Sequence, residues 1–118
     1  MKVTQKEIGA LEAIRIAGAV LVQILEYNRP GKFKFRELFP REYAVMTNAA
    51  ALFIRSKKLL LRRLGVTMRE FIASVAAVDA AEAETADFHT KIQEMYVAAV
   101  QWDAAARALD AKVAENSD

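Results

Sequence analysis

The sequence has no cysteine, one histidine, two prolines and four glycines among its 118 residues. Without cysteine there is neither a disulfide framework nor a thiolate metal site. The single histidine, His89, cannot supply a histidine-paired metal centre or the Glu-x-x-His ligands of a dimetal carboxylate bundle within one chain. Every glycine and proline lies before residue 66, so nothing of that kind punctuates the second half. Long apolar runs are lacking too. Ile16–Leu25, interrupted by Gln23, is far too short to cross a hydrocarbon core of about 30 Å. Glu7, Glu12 and Arg15 break up any secretory h-region, and the expected location is cytoplasmic.

What is present is a chain 54% hydrophobic and 27% charged, rich in alanine after residue 73. Such a composition favours helices over strands. The expected fold is all-α: a three- or four-helix bundle in one domain, with an antiparallel hairpin of two helices packed on a long C-terminal helix.

The first helix is expected over about 5–28. Thr4 followed by Glu7 is a capping-box pattern, and Arg29-Pro30-Gly31 stops the helix. Ile14, Ala17, Leu21 and Ile24 form its stripe, widened by Ile16, Val20 and Leu25. Gly18, between two alanines, permits close approach of a neighbour. A basic loop over 29–40 follows, with a single turn possible before Pro40. A second helix is expected over about 41–64, closed by Gly65, with Met46, Ala50, Phe53, Leu60 and Leu64 inward. Thr67 and Glu70 repeat the capping-box pattern and open a third helical region over about 68–115. There, Phe88, Ile92, Met95, Ala99, Trp102, Ala106, Leu109 and Val113 recur at alternating spacings of four and three. This heptad seam serves either the bundle core or an oligomer interface, and Tyr96, Val97 and Val100 add a second apolar face that favours burial between several helices. Between Val78 and Phe88 there is no large apolar residue, and no glycine or proline either. The reading adopted is one long or gently bent helix, whose uncovered half predicts a homo-oligomer or a larger complex.

Charge is unevenly distributed. Residues 1–28 are neutral overall, residues 29–69 carry a net +9, and residues 70–118 carry −7. Arg29, Lys32, Lys34, Arg36 and Arg41 surround the loop. Arg55, Lys58 and Arg62 fall on the outer face of a continuous second helix, flanked by Lys57 and Arg63. Clustered bases suit nucleic-acid phosphates, which reward charge without being read for sequence. Phe33 and Phe35 alternate with lysines and could stack on unpaired bases. Three other uses compete with that one. The bases form a solvated face, they dock onto an acidic protein, or they dock onto the chain's own acidic helix. A membrane-surface role for the Leu- and Arg-rich stretch 52–64 is weaker, because its bases oppose a core stripe.

No catalytic constellation is legible. No serine sits in a nucleophile motif, Gly31-Lys32 lacks the spacing of a phosphate loop, and His89 lies among surface acids. The expectation is a protein that is not an enzyme and needs no cofactor or metal. It binds nucleic-acid backbone or serves a nucleoprotein complex; the alternative is an adaptor, inhibitor or assembly chaperone for an acidic protein.

Overall fold

The structure, a computed structural model, describes residues 3–27, 34–82 and 84–115, which contain five helices and no strand. Thr4 opens α1 (Gln5–Tyr27) as its pattern predicts. The Glu7 N–H donates to Thr4 Oγ1 at 3.1 Å, and the Thr4 N–H donates to Glu7 Oε1 at 2.9 Å. A single turn, α2 (Phe35–Leu38), leads into α3 (Pro40–Ile54), whose first turn holds Pro40, where a missing N–H costs nothing. Then come α4 (Leu59–Ala80) and α5 (Ala86–Glu115).

The expected helix over 41–64 is in fact two. The chain turns at 55–58, where the Ser56 N–H donates to Phe53 O at 3.0 Å and Ser56 Oγ accepts the Lys58 N–H at 3.1 Å. Burial explains the turn. Leu61, Leu64, Met68, Phe71, Val75 and Val78 form a separate stripe at 3-4-3-4-3 spacing, all of it buried. Bringing that stripe against α3 requires the chain to reverse. Helices α3 and α4 therefore pack antiparallel, with Ile54 against Gly65 and the Tyr43 hydroxyl donating to Ile72 O at 3.3 Å.

Gly65 is thus not a helix terminator. A Cβ there would lie 2.6 Å from the backbone nitrogen of Ile54, so glycine is what lets the two backbones meet. Nor does Thr67 cap anything. Its hydroxyl donates back to the carbonyls of Arg63 and Leu64, because the residues before it are already helical.

The expected single helix over 68–115 also breaks. Ala81 is extended, Glu84 adopts φ 66°, and Thr85 Oγ1 accepts the Phe88 N–H at 3.1 Å as the N-cap of α5. With no large apolar residue from Asp79 to Asp87, burial gives nothing to keep those residues helical. Consequently α4 and α5 form a hairpin, and the seam of α5 points into the molecule. Phe88, Met95, Trp102 and Leu109 are buried, while Ile92, Ala99 and Ala106 pack half-buried against them. The side chain of Val113 lies outside the described residues. The uncovered half-helix that predicted self-association is absent from this arrangement. A ring contact, Phe71 to Trp102 at 5.2 Å between centroids, sits in the same core.

On α1, Ile14 is buried but Ile16 is 70% exposed, so the helix is not enclosed all round at that level. Among the described residues, no helix is long and apolar enough to cross a membrane.

Candidate functional site

The bases that the sequence groups into one stretch are divided by the fold between the two ends of α4. Because α3 and α4 are antiparallel, Arg41 stands near the C-terminal end of α4, with Lys34 and Arg36. Arg55, Lys57, Lys58, Arg62 and Arg63 gather at its N-terminal end. About 30 Å of helix rise separates Leu59 from Asp79. Arg29, Lys32 and Phe33 lie outside the described residues.

At the N-terminal end, the turn at 55–58 forms a basic corner. Arg55, Lys57, Arg62 and Arg63 are exposed, and none pairs with an acid among the described residues. The continuous face expected for Arg55, Lys58 and Arg62 does not exist, because a helix end falls between Arg55 and Lys58. The turn brings the same residues together by another route. Lys58 is the exception in its partnering, since its Nζ donates to Glu7 Oε1 at 2.7 Å, tying the start of α1 to the corner. Burial alone would raise the Glu7 carboxyl, but the bonds from Lys58 and Thr4 outweigh it and hold the group below its ordinary value. The corner also contains the start of α4, where Lys58 makes no side-chain cap and the first turn holds no acid. The positive end of that helix dipole therefore adds to the field of the bases.

The other end is built differently. Asp79 accepts the backbone N–H groups of Phe35 at 3.0 Å and Arg36 at 3.1 Å, and its own carbonyl accepts Lys34 Nζ at 2.6 Å. One carboxylate thus clamps α2 onto the end of α4. The Arg36 guanidinium lies 5.8 Å above the Tyr43 ring, and burial, with the nearby Asp79 charge, pushes the Tyr43 hydroxyl above the usual phenol range. Phe35 is 2% exposed in the main core. Its ring is committed to packing, which corrects the expectation that it could stack on a base. Lys34 and Arg36 are exposed on either side of it, in a helical turn rather than the extended segment on which the alternation would place bases and phenylalanines on opposite sides.

Docking of the basic stretch onto the chain's own acidic segment is met at one point, where Asp79 holds Lys34, Phe35 and Arg36, and not on α5 among the described residues. The acids of α5 pair with Arg15 (Asp110, 3.3 Å), Lys91 (Glu94, 3.6 Å) and Arg107 (Asp103, 2.9 Å), and none of these bases belongs to residues 34–69. His89 is exposed, edge-on to Phe88. Among the described residues, no three acidic or histidine side chains converge on a point where a metal could sit.

Two further features were not anticipated as sites. Helices α1 and α5 meet at Gly18, where a Cβ would lie 2.6 Å from the Trp102 ring, and a cavity of about 430 Å³ opens beside that contact. Gly18 was expected to admit a neighbouring helix; what it admits is the end of the Trp102 side chain, and the space beside it was not legible in the sequence. On the opposite side of α5, Tyr96, Val97 and Val100 are not buried between helices as expected but 46%, 59% and 69% exposed, a small apolar patch off the buried seam. Compared with protein families, with curated proteins and with solved structures, the chain has no significant match.

Proposed function

We propose that this protein is a non-enzymatic helical subunit that binds nucleic-acid backbone through the basic corner between α3 and α4. The observation that carries the reading is a cluster of four exposed bases, Arg55, Lys57, Arg62 and Arg63, with no acid paired to any of them among the described residues. Bases held on helix ends and left unneutralised suit phosphates, whose binding releases counterions and needs no base-edge contact. The uncapped start of α4 points the same way. Lys34, Arg36 and Arg41 form a second, more tethered contact at the far end.

Mobility shifts with single- and double-stranded DNA and RNA at two salt concentrations test this. If all four corner bases engage phosphates of a duplex, log K should fall against log salt with a slope of roughly −3 to −4. The triple variant R55E/R62E/R63E should lose about two orders of magnitude in affinity at low salt. Unchanged binding and unchanged slope in that variant would overturn the reading.

The exposed patch at Tyr96, Val97 and Val100 favours a second reading alongside the first, in which α5 also meets a protein partner or another copy. This shifts the expected assembly surface from the internal seam to the outer face. Light scattering that returned 13.1 kDa throughout a concentration series would remove self-association from the proposal. If no nucleic acid binds at low salt, the adaptor, inhibitor or chaperone for an acidic protein partner takes its place.

A further inference from the structure

We propose that the cavity between α1 and α5 is a binding site for a small uncharged apolar molecule, about the size of two fused rings with a substituent or a medium-length hydrocarbon chain. Its walls are Leu11, Ile14, Gly18, Leu64, Trp102 and Leu109, with the methyl groups of Ala99 and Ala106. Its volume of about 430 Å³ falls within the range of small-molecule sites, about 300–1,000 Å³, and is roughly three times that of an engineered apolar cavity that takes up benzene.

Charge at the mouth decides the class of ligand. Arg15, Asp103 and Asp110 stand there, and each is answered by the protein itself: Arg15 by Asp110 at 3.3 Å, and Asp103 by Arg107 at 2.9 Å. Among the described residues these pairs cancel, leaving no net charge at the mouth to select an ionic headgroup. Nor do the apolar walls offer water the two to four hydrogen-bonding partners that hold it in a protein interior. The Arg15–Asp110 pair also links α1 to α5 at the mouth. The indole nitrogen of Trp102 is buried and has no hydrogen-bond partner. What surface the residue leaves accessible is therefore carbon.

Trp102 is the only tryptophan in the chain, so its fluorescence reports on this site alone. The full chain is titrated with N-phenyl-1-naphthylamine, a neutral apolar probe. The expected result is saturable binding at one site per chain, with blue-shifted probe emission and quenching of Trp102. The variant A99L/A106L, which fills the space from α5, should weaken binding by at least about tenfold with the circular dichroism spectrum unchanged. V100D, on the outer face of α5, should leave it intact. If the filled variant does not fold, isotope-filtered NOEs on the unmodified chain decide, with contacts expected from the probe to the methyls of Leu11, Ala106 and Leu109. Lack of saturation overturns the proposal, as do loss of binding in V100D and NOEs only to Val97 and Val100. A doubled mass with the probe excluded assigns the groove to a second copy, which overturns it as well.

Discussion

The contact between α3 and α4 and the contact between α1 and α5 each contain a glycine at which a Cβ would come within 2.6 Å of another group, yet they are opposite kinds of interface. At Gly65 the near group is the backbone of Ile54, and in the α3–α4 core Met46, Phe53, Leu61 and Met68 have no exposed surface at all. At Gly18 the near group is the edge of a side chain, Trp102, with a cavity of about 430 Å³ beside it. One is a closed core whose near neighbour is backbone. The other is a seat with room in it. The difference teaches that a close approach measured at one atom says little about packing, which depends on whether the neighbour has somewhere to go.

The largest effect expected from breaking the comparison is at Phe53. Phe53→Ala should destabilise by about 3–5 kcal/mol in urea unfolding, whereas Ile14→Ala, at the wall of an existing cavity, should stay near about 2 kcal/mol. Equal costs would erase the distinction. Next is Asp79, whose carboxylate serves two backbone N–H groups of α2. Asp79→Ala should cost about 1.5–3 kcal/mol in the same experiment and speed hydrogen exchange at Phe35 and Arg36.

The glycines themselves sharpen the contrast. Gly65→Ala should destabilise by about 1–3 kcal/mol, since backbone must shift. Gly18→Ala should be nearly neutral in thermal melts, because the Trp102 ring can tilt toward the cavity and alanine is the better helix former by up to about 1 kcal/mol.

The smallest effect is electrostatic. Glu7, held below its ordinary pKa by Lys58 and Thr4, contributes stability at pH values above its unfolded-state pKa, and that contribution is lost as pH falls through its folded-state value. Glu7→Gln should therefore cost less than about 1 kcal/mol at pH 7 and nothing at pH 2, read from paired unfolding curves.

Much of this arrangement was legible in the sequence, and what was not has a physical cause. The Thr4–Glu7 box and the 4-3 seam of α5 are local patterns, and both are found where the residues put them. Thr67 and Glu70 have the same pattern as Thr4 and Glu7 but sit inside a helix, because the stripe from Leu61 to Val78 runs through them. That stripe was itself readable, at regular spacing, and Gly65 concealed it by resembling a terminator. The turn at 55–58 has no proline or glycine, and Ser56 alone marks it, through the bond its hydroxyl accepts. The break at 81–85 was visible only as a gap in large apolar residues, since Glu84 takes the left-handed conformation that glycine would ordinarily signal. For the candidate site, the identity of the bases was readable. Their division between two ends of α4 was not, because it follows from where the chain reverses. Nor did the alternation around Phe35 show which face would be buried until the Asp79 clamp was in place.

The link at 81–85 has a consequence for how the chain could be shared between molecules. If those residues became helical, α4 and α5 would fuse into one rod of about 85 Å. The seam from Phe88 to Leu109 would then leave its own α4 and find the same surface only on a second molecule. Such an exchange creates no new contact and loses none; it swaps a domain element between two chains and doubles the mass. The Thr85 cap favours the folded-back hairpin, whereas the left-handed conformation of Glu84 costs it about 1–2 kcal/mol. Replacing Thr85 with alanine, which removes the cap and favours a continuous helix, is the shortest route to the swapped dimer.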